Sequence, residues 1–352
     1  LRRADVDPYA PENARYMKML FVCLPLGLAL LCSTPAGATP TGHYAERDAG
    51  KALIDKLAAE HDVPRATTRR LLEQARYQPE IIEKMTRPAE KTMTWGRYRQ
   101  IFVEPERARQ GADYLAAHRD LFETAEQRYG VPAYIVAAIL GVETRYGGFI
   151  GSDRVIDALS TLAFDYPPRS TFFTQELGAF IRLCVDEKLD CTHDVGSYAG
   201  AMGLGQFMPS SYAAYAVDGN NDGKRDLWNQ PADIIFSVAN YLAENGWQRG
   251  APIAQPATLA RPGLIDELTT STRHTKYRWA ELKQMGVSAE NSPTRETRVG
   301  LLAFVGPHDQ PEYWIAEHNF FVITTYNTSP LYAMAVYQLG RMIHAFDAGT
   351  AS

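Results

Sequence analysis

Apolar positions recur at helical spacing through the first third of the chain. From Tyr44 to about Ala117, Leu53, Leu57, Leu71, Leu72, Ile81 and Ile82 stand among charged residues with little alternation, and that spacing predicts helices. Val63-Pro64 and Gln78-Pro79 cut the stretch into short ones. Another helix is predicted after Gly130. Pro132 sits in its first turn, Ile135, Ile139 and Val142 follow on one face, and Gly147-Gly148 closes it. Helical pattern returns over 171–187, over 231–245 ahead of Gly246, and over 331–346. The stretch from Ala251 to about Glu317 differs. It is rich in Thr, Val, Pro and Gly, and its short apolar runs at 299–305 and 313–316 predict hairpins, with 320–325 as the last strand. The expected class is mainly α, with a small β-rich part in an α+β arrangement.

One run, at 19–31, is strongly apolar but shorter than the ~20 residues that a spanning helix needs. Met17-Lys18 precedes it and Ala36-Gly37-Ala38 follows, so 17–38 reads as a secretory signal cut after Ala38. Translation is then expected to start at Met17, with 1–16 a mis-called upstream stretch. The alternatives are an uncleaved N-terminal anchor, or lipidation of Cys32 at an outer membrane, for which Leu31 is a poor preceding residue. Export places the protein in the periplasm.

Export also removes Cys23 and Cys32, leaving Cys184 and Cys191. In an oxidising compartment that pair is expected to close a small disulfide loop; the alternative is two reduced thiols. Net charge is −5, from 36 basic and 41 acidic residues. A protein that binds phosphate backbones is usually basic, so no nucleic-acid partner is expected.

Three segments carry candidate chemistry. Glu143 shares a predicted helical face with Ile139 and Leu140. A carboxylate on an apolar face loses hydration, which favours its protonated form and suits a general acid. The plainer reading is a helix-terminal Glu that meets water or Arg145. The segment 197–212, Ser-Tyr-Ala-Gly-Ala-Met-Gly-Leu-Gly-Gln-Phe-Met-Pro-Ser-Ser-Tyr, holds three glycines that allow close backbone approach by a ligand or by another chain segment. Its Gln206 offers both a donor and an acceptor. In 218–226, Asp-Gly-Asn-Asn-Asp-Gly-Lys-Arg-Asp, oxygens fall at positions 1, 3, 5 and 9 with Gly at 6. That is the start of an EF-hand calcium loop. Position 12 is Asn229 rather than Glu, and Asp233 can supply the missing carboxylate. A single unpaired hand implies a structural ion; the plainer reading is a solvated acidic turn.

Taken together, Ile139-Leu140-Gly141-Val142-Glu143-Thr144-Arg145-Tyr146-Gly147, the segment 197–212, the calcium loop and Phe320-Phe321-Val322-Ile323-Thr324-Thr325-Tyr326-Asn327 resemble the lytic murein transglycosylase B family. The similarity runs from about Ala45 to Phe346. It implies a lysozyme-like α core (118–250), an accessory helical domain (39–117), a small β-rich domain (251–318) and a C-terminal segment (319–352) that returns to the core. It also implies non-hydrolytic cleavage of the MurNAc-β-1,4-GlcNAc bond of peptidoglycan, leaving 1,6-anhydro ends. Glu143 matches the family's acid/base, and Ser197 the residue that positions it. Gln206, Tyr241, Tyr326, Asn327, Tyr332 and, in Trp95-Gly96-Arg97-Tyr98-Arg99, Tyr98 match substrate-cleft positions. Asp218, Asn220, Asp222, Lys224 and Asp233 match one calcium site, with no organic cofactor. The family pattern departs here by one extra residue between Trp228 and Asp233, and by Asn220 where Ser also occurs. The implied partners are peptidoglycan glycan strands and other cell-wall enzymes, with the protein itself a monomer. A hydrolytic muramidase with a second carboxylate, a catalytically silent peptidoglycan receptor and a calcium sensor remain the competing readings.

Overall fold

The computed structural model of the protein describes residues 43–86, 93–261 and 263–350. The expected export signal, with its expected cut after Ala38 and start at Met17, and Cys32 lie outside the described residues. Five short helices open the described chain: α1 (Asp48–His61), α2 (Arg65–Gln74), α3 (Pro79–Thr86), α4 (Trp95–Phe102) and α5 (Pro105–Ala117). Their boundaries follow backbone chemistry. Pro64 precedes α2, while Pro79 and Pro105 stand at the first turns of α3 and α5, where a missing N–H costs nothing. Next come α6 (Arg119–Tyr129) and α7 (Ala133–Thr144), then β1 (Asp153–Arg154), α8 (Val155–Asp165), α9 (Ser170–Asp186), β2 (Val195–Gly196), α10 (Pro209–Tyr215) and α11 (Pro231–Glu244).

The sheet region holds β3 (Ala254–Leu259), β4 (Tyr277–Arg278), a short α12 (Trp279–Gln284), β5 (Val287–Ala289), β6 (Arg298–Val305) and β7 (Pro311–Ala316). These five strands form an antiparallel sheet in the order β4-β6-β7-β3-β5. The chain then returns through α13 (His318–Tyr326) and α14 (Pro330–Asp347). The architecture is therefore mainly helical with one small antiparallel sheet, besides a two-stranded β1–β2 pairing. The sheet packs its own small core of Leu264, Trp279, Leu282, Val287, Val299, Leu301 and Ile315. A much larger core runs continuously from Tyr44 to Ile343. No described helix is long and apolar enough to cross a membrane.

One element departs from the sequence reading. The run 320–325 is not the last strand of the sheet but lies inside the helix α13. A short, β-branched apolar run gives no periodicity that separates a buried strand from a buried helix. Here nearly every residue of α13 is buried, so no polar stripe marks a helical face. Its orientation is set by Asn319, whose side chain accepts from the Gln248 N–H and donates to the Gln248 and Ala251 carbonyls. A second departure is that α7 ends at Thr144, three residues before Gly147, with the intervening Arg145 and Tyr146 both at positive φ (52° and 58°).

Cys184 at the end of α9 and Cys191 form a disulfide. Three residues beyond Cys191 stands Asp194, whose Oδ2 is buried with no hydrogen-bond partner among the described residues. Burial, with Asp190 and Asp226 nearby, pushes its carboxyl up to about 6. The folded state thus binds this proton more tightly than the unfolded one. That contribution is fully present below about pH 4 and is lost as pH rises through about 6. Asp194→Asn should therefore stabilise the fold at pH 8 by about 1 kcal/mol, after discounting for solvent screening. At pH 4 it should change little. Melting temperatures at the two pH values check this, and an equal shift at both would count against it.

Candidate active site

Helix α7 is apolar nearly all round, and Ile135 to Val142 are buried without a break. Glu143, near its C-terminal end, is half-buried. Two features fix the chain just beyond it. Thr144 is buried, and its hydroxyl donates to the Leu204 carbonyl (3.0 Å) while accepting from the Gly147 N–H (3.1 Å). Tyr146 donates to the Arg107 carbonyl (3.0 Å) and lies over Gly111 and Gly141. A Cβ at either glycine would come within 2.3 or 2.4 Å of the Tyr146 hydroxyl. Arg145 turns away from Glu143, toward Glu104 (3.4 Å) and Gln110 (2.9 Å).

On the other side stands a tyrosine wall. Tyr332, in the first turn of α14, donates to Glu143 Oε1 at 2.6 Å. Its ring lies nearly parallel to that of Tyr326, centroids 6.4 Å apart. Tyr326 donates to the Gly205 carbonyl and packs edge-on against Tyr241 and Phe207. Tyr241 donates to the Thr325 carbonyl (2.6 Å). Burial, and after it the Glu143 charge, pushes the Tyr326 and Tyr332 phenols well above the ordinary range. Both therefore stay protonated, and Tyr332 remains a donor. Tyr98 is close enough to act on Tyr332. It is only 1% exposed and sits in a ladder with Trp95 and Phe102, which Trp95 ties to Glu312 of β7 at 3.2 Å.

The segment 197–208 runs beneath this wall. Ser197 Oγ accepts the Ala199 and Ala201 N–H groups (3.3 and 3.1 Å), which leaves its own proton to donate. Gln206, at φ 50°, donates to the Ile150 and Gly203 carbonyls. The glycines are needed for approach by other chain segments. A Cβ at Gly203 (φ +67°) would come within 2.4 Å of the Leu227 carbonyl, and one at Gly196 within 2.2 Å of the Ala201 carbonyl. Asn327 is buried, with its Oδ1 accepting the Ser329 N–H.

In the acidic loop, Asp218 accepts the Asp222 and Gly223 N–H groups, Asn220 accepts that of Asp222, and Asp222 accepts that of Lys224. Asp233 is fully buried in α11 and reaches back to the Gly219 and Asp226 N–H groups, each at 2.7 Å. Burial pushes its carboxyl up against the pull of those N–H groups, and the neighbouring Asp218 pushes it further. Asp226 instead caps the Trp228–Asn229 turn. Among the described residues no three His, Cys, Asp or Glu side chains converge as a ready-made metal cluster. A bound ion would thus rely also on the Asn220 amide oxygen and the Lys224 carbonyl. That all-oxygen set, with two carboxylates crowding each other, fits a hard cation such as calcium.

The model of the family described as "Transglycosylase SLT domain" matches residues 46–341. The chain belongs to this family. It is 38% identical over 312 residues to membrane-bound lytic murein transglycosylase B of Escherichia coli, across 86% of this chain and 84% of that one. The E. coli lytic transglycosylase Slt35 in complex with calcium superposes with a TM-score of 0.78 at 37% identity, over 87% of this chain and 96% of that one. SltB3 from Pseudomonas aeruginosa in complex with NAG-NAM-pentapeptide gives 0.72 at 31%, over 86% and 79%. The protein is a lytic transglycosylase.

In this SLT-domain enzyme the sequence-predicted residues fall into two groups. Glu143, Tyr98, Tyr326, Tyr332 and Tyr241 come together at one wall, with Ser197 and Gln206 on the segment beside it and Asn327 directly after Tyr326. The acidic-loop residues stand apart and join the wall through backbone. The Leu204 N–H donates to the Leu227 carbonyl (2.9 Å), and the Leu204 carbonyl accepts from Thr144, next to Glu143. Thr144, Tyr146 and Phe207 escaped the sequence reading as site residues. Only Thr144 carried a signal, as a hydroxyl inside an otherwise apolar helix.

Proposed function

We propose that this transglycosylase cleaves the MurNAc-β-1,4-GlcNAc bond of peptidoglycan strands without water, leaving 1,6-anhydro-MurNAc ends. The observation that carries the reading is Glu143 at the end of a buried helix, held on one oxygen by the Tyr332 phenol at 2.6 Å. Glu143 gives its proton to the glycosidic oxygen as the bond from C1 breaks. The substrate's N-acetyl group steadies the cationic sugar. The muramoyl 6-oxygen then attacks C1 and its proton passes to the Glu143 carboxylate, which restores the acid. Attack from within the same sugar has a high effective concentration, so no second carboxylate is needed to activate water. Ser197 orients the carboxylate and substrate; Tyr98, Gln206, Tyr241, Tyr326 and Asn327 shape the cleft. The SltB3 relative solved with NAG-NAM-pentapeptide supports this substrate class.

On this reading 118–250 is a lysozyme-like core, 39–117 the accessory helical domain, 251–318 the small β-rich domain and 319–352 the returning segment. The enzyme works in the periplasm as a monomer. Mass analysis of muropeptides from purified peptidoglycan tests the reaction. Products one water lighter than reducing muropeptides are expected; reducing ends would establish a hydrolase, and retained glycan binding without cleavage a receptor.

The calcium-bound Slt35 relative supports a structural calcium ion held by Asp218, Asn220, Asp222, the Lys224 carbonyl and Asp233. The ion would neutralise the crowded carboxylates and fix the loop that reaches Leu204. Calcium added to chelator-treated protein should raise stability by about 2 kcal/mol at roughly thirty times Kd. Asp222→Ala should abolish the gain. A melting temperature indifferent to millimolar calcium would remove the ion from the account.

A further inference from the structure

Helices α7 and α14 pack antiparallel. Tyr332 meets Glu143 at one end, and Gly340 lies against Tyr134 and Ile135 at the other. At that far end, where α7, α14 and the β3 edge meet, lies a cavity of about 720 Å³. A rise of 1.5 Å per residue puts Tyr134 roughly 13 Å from Glu143 along α7, and Arg341 roughly 13 Å from Tyr332 along α14. The cavity is therefore separate from the tyrosine wall, yet built on the same two helices.

Its lining is chemically mixed. Tyr134, Trp247 and Tyr337 supply aromatic surface, and Arg341, Glu290 and His344 supply charge. The polar anchors are already placed. Tyr337 donates to the Ala254 carbonyl (2.7 Å) and Trp247 to the Gly130 carbonyl (3.0 Å). Gln255 pairs with the backbone of Asn291 through both its amide groups. Arg341 is exposed and lines the cavity; among the described residues it makes one long contact, to the Tyr337 hydroxyl at 3.4 Å, so most of its donors are left for solvent or a ligand. A guanidinium and a carboxylate in one aromatic-lined cavity match a ligand that carries a carboxylate and an ammonium on a short, partly apolar backbone. Cavities of this size at the junction of two modules are common ligand sites.

We propose that this cavity is a second binding site, which takes the zwitterionic peptide stem of peptidoglycan. Arg341 receives a stem carboxylate, Glu290 an ammonium, and the aromatic rings the aliphatic part. The site rests on the peptidoglycan reading. It would hold the polymer at a second point on the same rigid helix pair and raise the effective concentration of glycan at Glu143.

The test uses the full mature protein and a synthetic stem pentapeptide free of sugar. Binding is measured by calorimetry with the cleft saturated by an N-acetylglucosamine oligomer. Binding should persist under that competition and fall about tenfold in Arg341→Gln and in Glu290→Gln. Turnover of peptide-free glycan strands should be unchanged in both. A C-terminally amidated peptide repeats the carboxylate test on the unaltered protein, should Arg341→Gln lower the melting temperature. Absent binding, displacement by the oligomer, or indifference to either charge overturns the site. Cleavage of purified peptidoglycan by the unaltered protein is recorded in parallel. Its failure would sink the proposed activity, while the peptide result would stand by itself.

Discussion

Glu143→Gln is expected to lower turnover of purified peptidoglycan by at least about a thousandfold, with the fold and glycan binding retained. The amide keeps the size and the acceptor oxygen that Tyr332 needs. It cannot give a proton to the glycosidic oxygen or take one from the 6-hydroxyl, so both halves of the proposed reaction fail together. The side chain is half-buried at the end of a helix whose own core is untouched, so the melting temperature should move little. Steady-state release of anhydro-muropeptides, beside a pull-down on intact peptidoglycan, checks the expectation. Near-normal turnover would remove Glu143 from the chemistry.

The second expectation concerns the group that holds that carboxylate. Tyr332→Phe should lower kcat by about thirtyfold and move KM little, because one hydrogen bond to a charged group is worth about 2 kcal/mol. The ring that lies parallel to Tyr326 at 6.4 Å is retained, so packing is conserved and only the donor at 2.6 Å is lost. Glu143 would then be free to adopt other rotamers, a loss felt in turnover more than in binding. An unchanged kcat, or a loss confined to KM, would mean that Tyr332 only lines the cleft.

The site was partly legible because its parts are local. Glu143 stood out as an acid on an apolar helical face, and the Asp218–Asp226 run stood out through loop spacing. The tyrosines did not: Tyr98, Tyr241, Tyr326 and Tyr332 come from four different helices, and residue type gives no hint of which phenols meet. Resemblance to a family picked them out, where periodicity had nothing to say. The glycines of 196–205 show the same limit. Their composition permits close approach, but only the folded chain shows that the neighbours at Gly196 and Gly203 are the Ala201 and Leu227 carbonyls.

By itself the sequence determined the helical breaks at proline, the α7 helix that ends in an acid, the acidic loop and the β-rich stretch after Ala251, since each depends on interactions within a few residues. Tertiary structure decided that 318–326 is a helix, because a segment buried on all sides carries no polar stripe to show its period. It also decided that Arg145 serves Glu104 while Tyr332, 189 residues away, serves Glu143. Which donor reaches a half-buried carboxylate depends on how two antiparallel helices dock, and no local pattern encodes that.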